Sequence, residues 1–124
     1  MDLTTLTASE AAAAIKGGAV TAAELAKALI AEAQAAQSIN ALVGFDADTF
    51  LEQAEEADQI KTEGARLGPL HGVPVVIKDN IDVAGFATTA ATPALAGNLA
   101  RRDAPVTRAL RDAGAVIMAK TNMH

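Results

Sequence analysis

The chain has no cysteine, no tryptophan and no tyrosine. Without cysteine, disulfides and thiolate metal sites are excluded. The aromatic side chains are Phe45, Phe50 and Phe86 alone. Much of the apolar content is alanine, which buries little area. Each core position therefore contributes less than a leucine or phenylalanine would. Such a composition suits a segment that packs against more protein. Serine is scarce as well: Ser9 and Ser38 are the only two, and neither stands in a Gly-x-Ser-x-Gly elbow. Histidine is limited to His71 and His124. Two histidines cannot build a tetrahedral metal site unaided, and a lone loop histidine is more often structural.

Positive charge is also in short supply. Ten Lys and Arg face 15 Asp and Glu, for a formal charge of −5. The only adjacent basic pair is Arg101-Arg102. A nucleic-acid surface needs a basic patch, so direct nucleic-acid binding is not expected. No apolar run approaches the roughly 18 residues of a membrane span. The opening "MDLTTLTASE" lacks the basic and apolar regions of a signal peptide. A cytoplasmic location is compatible with these absences.

What is present is enough for a core: 51% of the 124 residues are hydrophobic, about one domain by length. Two Thr-x-x-Glu capping boxes, at Thr7–Glu10 and Thr21–Glu24, open two helices. The first should stop at Gly17-Gly18 and the second near Gln37. Ala41 to Phe45 reads as a short strand. Asp46 or Asp48 then caps a third helix that ends before Gly64, with Ala47, Phe50, Ala54 and Ala57 on one side. Its Glu52, Glu55, Glu56 and Glu63 form an acidic stripe, read as a solvated face.

Composition changes at Gly64. Val73 to Ile77 is a buried-strand candidate, followed by a Gly- and Pro-containing loop over 82–98. Asp103 is the expected cap of a fourth helix, with Pro105 in its first turn. Val106, Ala109, Leu110 and Ala113 would form its apolar face. Ala115 to Met118 is a second buried strand. Strand, helical crossover, strand makes a βαβ unit with parallel neighbours. A parallel sheet needs more strands and two covered faces, so the chain reads as cut in mid-fold. One domain is expected over 1–124, with a helical lead-in (1–64) and the start of the α/β core (65–124).

Lys78 is the main candidate for chemistry. It ends the apolar strand of "GVPVVIKDN", and strand ends of open α/β sheets are where ligands bind. A lysine that loses hydration there can act as a general base toward a serine. The bland alternative is a solvated strand-end charge paired with Asp79 or Asp82. Asp79, Asn80 and Asp82 do not follow the EF-hand spacing and read as loop-supporting Asx residues. No phosphate loop is present.

Two longer stretches, "GPLHGVPVVIKDNIDVAGFATTAATPAL" and "DAPVTRALRDAGAVIMAKTNM", resemble the amidase signature family. The resemblance covers roughly Gly68 to Met123; the helical lead-in is similar but less specific. It implies the beginning of a mixed-sheet α/β/α amidase fold, incomplete in this chain. It also implies an amidase that cleaves a carboxamide C–N bond through an acyl-enzyme, with a Ser-cisSer-Lys triad. The family's lysine falls on Lys78, the implied proton shuttle; Asp79 and Asn80 match the residues that support the loop after it. The family's two serines lie downstream, and no serine follows Lys78 here. The chain alone is therefore expected to be inactive and to need the rest of the domain. No metal or cofactor is implied. The expected partner is a small-molecule amide, and a homo-oligomer is compatible. The substrate-binding residues are not legible. Two alternatives are a non-catalytic binding or assembly module derived from an amidase, and a fragment of a glutamyl-tRNA amidotransferase A subunit.

Overall fold

A computed structural model describes residues 1–124. Its elements run α1 (Ala8–Gly17), α2 (Ala22–Ala35), β1 (Leu42–Phe45), α3 (Ala47–Thr62), β2 (Pro74–Lys78), α4 (Pro105–Asp112) and β3 (Val116–Thr121). Both capping boxes form: the Thr7 and Thr21 side chains accept from Glu10 N and Glu24 N, and the glutamates reach back. Gly18, in the left-handed conformation at φ 81°, ends α1. The second helix ends at Ala35, short of Gln37, and a 3-10 turn takes over at Gln37–Ile39. Asp46 caps α3 by accepting from Asp48 N and Thr49 N.

Charged residues of α3 serve the other two helices. Asp58 accepts from Ala22 N and Ala23 N at 2.8 and 2.9 Å, satisfying free donors at the start of α2. Lys61 Nζ donates to Ile15 O at 2.6 Å, meeting a free carbonyl at the end of α1. The glutamates 52, 55, 56 and 63 stay exposed, as a solvated face should.

The three strands form one mixed sheet in the order β1-β3-β2. The βαβ expectation holds: β2 and β3 are parallel neighbours, and β1 joins β3 antiparallel. Two glycines allow the β2 and β3 entries to meet. A Cβ on Gly68 would lie 2.4 Å from Ala113 O, and one on Gly114 would lie 2.8 Å from His71 Cα. Leu70 N and Gly72 N then bond Ala113 O and Gly114 O, both at 2.9 Å. His71 is buried and donates from Nε2 to Ala57 O at 2.8 Å, tying this junction to α3.

The sheet separates two clusters. Ile15, Leu25, Phe50, Ala54, Val116 and Met118 belong to the larger one, beneath the helices. Ile77, Val83 and Ile117 form the smaller one, with Phe86 and Leu110 packed against it. Residues 116, 117 and 118 alternate between the clusters as strand residues do. Ala119 breaks the alternation by joining the larger cluster. The cause is a bulge: Val75 pairs with Ile117 but Val76 pairs with Ala119, so Met118 is the extra residue.

Three expectations for the second half need correction. Asp103 does not cap α4: the N-cap is Ala104, without a side-chain bond. The Asp103 carboxylate instead accepts from Ala84 N at 2.8 Å and pairs with Arg111 at 2.9 Å. Only part of the apolar face assigned to α4 turns inward: Leu110 packs against the smaller cluster and Ala113 is half-buried, but Val106 and Ala109 are exposed, while Thr107 is fully buried and donates to Asp82 O at 2.7 Å. The Thr107 hydroxyl meets the Asp82 carbonyl in the loop after β2, which turns that side of the helix inward. Finally, β2 is only partly buried, with Val76 48% exposed on a sheet edge that nothing pairs.

Candidate active site

The C-terminal ends of β2 and β3 lie side by side and each carries a lysine. In the parallel register Ile77 faces Lys120 and Lys78 faces Thr121. The two lysines differ completely in surroundings. Along β2, Val75 and Ile77 face the smaller cluster, and Asp79 continues that alternation into a buried position. Val76 and Lys78 take the opposite parity and are exposed. The Lys78 ammonium forms no hydrogen bond and no ion pair.

Lys120 is the buried one, with 1% of its side chain accessible. Its Nζ lies 3.2 Å from Asp79 Oδ1 and donates to Ala87 O at 3.1 Å. Its stem crosses β1 at Gly44, where a Cβ would lie 3.3 Å from the lysine Cβ and Cγ. The bulge at Met118 explains its direction. Without the extra residue, 120 would share the parity of Met118 and point beneath the helices. With it, Lys120 turns toward Phe86, Ala87 and Asp79.

Asp79 is held on four sides. Its carboxylate accepts from the Thr89 hydroxyl on Oδ2 and meets Lys120 on Oδ1. Its backbone N donates to Thr121 O at 2.9 Å, and its carbonyl accepts from Ala90 N at 3.0 Å. Burial by itself would raise the Asp79 carboxyl, but the Thr89 hydroxyl and the Lys120 ammonium outweigh it and hold the group below its ordinary value of 3.8. The carboxylate is thus ionised and committed at neutral pH. Ile81 N closes a turn onto Lys78 O at 3.0 Å, directly beyond the strand. Asn80 is exposed, and its side chain makes no hydrogen bond.

Of the residues singled out from sequence, Lys78, Asp79 and Asn80 are therefore consecutive but not equivalent. One is a free cation, one a buried anion and one an exposed amide. Sequence reasoning missed Lys120 and Thr89. The sequence holds only a hint: "VIMAKT" repeats the pattern of "PVVIKD", an apolar run closed by lysine, which marks a strand-end lysine without saying which face it takes. The largest groove, about 570 Å³, lies elsewhere, between α2 and β1, and is lined by Leu29, Ala33, Leu42, Phe45 and Met118 among others. It includes none of the strand-end residues. No three His, Asp or Glu side chains are grouped as a metal site. No helix is long and apolar enough to cross a membrane.

The strand ends of an open α/β sheet, where ligands bind in such folds, here carry one free and one buried lysine, and comparison with known proteins gives the family. The family model Amidase matches residues 24–124, and the chain belongs to that family. Mandelamide hydrolase of Pseudomonas putida is 40% identical over 119 residues, covering 96% of this chain and 24% of that protein. The glutamyl-tRNA(Gln) amidotransferase A subunit of Streptomyces coelicolor is 38% identical over 123 residues, covering 98% and 25%. Among solved structures, the peptide amidase of Stenotrophomonas maltophilia superposes with a TM-score of 0.86 at 36% identity, covering 95% of this chain and 25% of that one. The chain thus spans about a quarter of the length of the relatives it matches.

Proposed function

We propose that these 124 residues supply the acid–base lysine of an amidase that cleaves the C–N bond of a small-molecule carboxamide. The observation that carries this reading is the pairing at the strand ends. Asp79, the carboxylate nearest to Lys78 in sequence, is already bound by Lys120 and Thr89, so Lys78 is left without a counter-ion. A cation paired with a carboxylate is held protonated; one that is not can shed its proton more readily.

In this mechanism the neutral Lys78 amine takes a proton from a bridging serine. That serine takes the proton of a second, nucleophilic serine, whose oxygen attacks the amide carbon. The tetrahedral intermediate collapses, the C–N bond breaks and the proton returns to the leaving amine. Water then cleaves the acyl-enzyme. Both serines belong to sequence outside these residues, and the 124-residue chain alone turns over no amide. Asp79 holds the loop after the lysine, and Asn80 flanks it. The relatives include amide hydrolases and tRNA amidotransferase subunits at nearly equal identity. The reading is therefore held at the bond cleaved and names no single amide.

The test is Lys78→Ala in the full-length protein. General acid–base catalysis is worth about 10²–10⁴-fold, and amide turnover is expected to fall by that factor with folding intact. Turnover near wild type would remove Lys78 from the mechanism.

A further inference from the structure

Lys78 and Asp79 are adjacent in the chain and opposite in charge, and strand alternation sends their side chains to opposite faces of β2. A carboxylate within a few ångströms favours the charged form of an amine. The structure holds the carboxylate on the face away from that amine. Asp79 faces the smaller cluster, where Lys120 neutralises Oδ1 and Thr89 occupies Oδ2. We infer that Lys120 is a positioning residue for amide cleavage: it sequesters the Asp79 carboxylate on the far face of β2 so that Lys78 remains free to exchange protons. This rests on the amidase reading above and names a residue that reading does not use.

Three observations support it independently. First, Lys120 reaches Asp79 only because the bulge at Met118 resets the parity of β3. Second, a lysine with 1% accessibility is costly to bury, and the cost is met only by a partner with ideal geometry. Third, the same ammonium anchors Ala87 O while Ala90 N bonds Asp79 O, so the pair also fastens the loop that follows Lys78.

Other charges near this point are few. β1 brings no charged residue, and Asp46 beyond it is exposed at the start of α3. Asp82 is exposed in the turn after β2, and the Asp103 and Arg111 of α4 pair with each other. Asp79 and Lys120 are the only Asp, Glu, Lys or Arg side chains that are buried.

The experiment uses the full-length protein and three variants: Lys120→Met, Asp79→Asn and the double. Two midpoints are measured against pH: the rising limb of kcat/KM, and covalent modification of Lys78 by an amine reagent. Lys120→Met leaves a bare carboxylate, so both midpoints are expected to rise by about one pH unit, which lowers turnover below the midpoint about tenfold. Asp79→Asn leaves a bare ammonium, so both are expected to fall. The double variant, neutral again, is expected to return to the wild-type midpoints. A purely structural pair would change melting temperature and leave the midpoints in place. Folded single variants with wild-type midpoints overturn the inference, as does a double variant displaced as far as Lys120→Met. Should one single variant fail to fold, the other, of opposite sign, decides. The modification midpoint needs no catalysis. A wild-type rate in Lys78→Ala would therefore sink the amidase role of Lys78 without touching this measurement.

Discussion

In residues 1–64 charged side chains work at helix ends. Glu10 and Glu24 complete capping boxes, Asp58 meets two amides of α2, and Lys61 meets a carbonyl of α1. None of these charges lies deep in the protein. Residues 65–124 do the reverse. There a lysine and an aspartate are buried together, while a second lysine on the neighbouring strand stays free. Charge at a helix end relieves a backbone group that water could also have served, so its worth is modest. Charge inside the protein has no such fallback. Its partners must be complete, and the structure around it must be shaped to deliver them. The bulge in β3 and the glycine at 44 are such shaping features; α1 to α3 need none.

The difference can be broken from its stronger side first. Lys120→Met leaves Asp79 buried and uncompensated, and removing one member of a buried pair costs about 3–5 kcal/mol. Urea unfolding of the full-length protein should register that loss, and a change under 1 kcal/mol would place the pair in water. The pH dependence has a definite sign. Asp79 is held below 3.8 in the folded state, so its stabilising contribution is fully present above that pH. The contribution is lost as the pH falls through the lowered value. The stability difference between wild type and the doubly neutral variant should change in that acidic window, as the Asp79 carboxylate takes up a proton.

The weaker side is tested by Asp58→Ala, which orphans the amides of Ala22 and Ala23. The amides are near the surface and water can replace part of the bond, so the expected loss is about 1–3 kcal/mol. A loss equal to that of Lys120→Met would erase the contrast between the two halves.

How much of this was legible beforehand follows the same division. The helices of the first half announce themselves through Thr7, Thr21, Asp46 and Gly18, because capping is local and written in consecutive residues. The parallel β2–β3 pairing was also legible, from two apolar runs joined by a helical crossover. The fourth helix departs from its sequence pattern at its start and on half of its face. Asp103 looks like a cap until Ala84 N and Arg111 claim it, and both lie far from the N-cap position. Lys78 was visible as a strand-end lysine within an amidase-like motif. Lys120 was not, because "VIMAKT" has no polar–apolar alternation from which to read a parity. Its direction depends on a bulge set by pairing with β2, a tertiary fact. The likeness to the amidase family named the first lysine and was silent on the second.

In the proposed mechanism the two strand-end lysines have different jobs: Lys78 carries the proton and Lys120 carries only charge. Arginine separates these jobs, since it keeps the charge and does not deprotonate. Amide turnover of Lys78→Arg and Lys120→Arg should be measured side by side in the full-length protein. Turnover is expected to fall about 10²–10⁴-fold in Lys78→Arg and far less in Lys120→Arg. Retention of turnover by Lys78→Arg, or an equal collapse in Lys120→Arg, would contradict that mechanism.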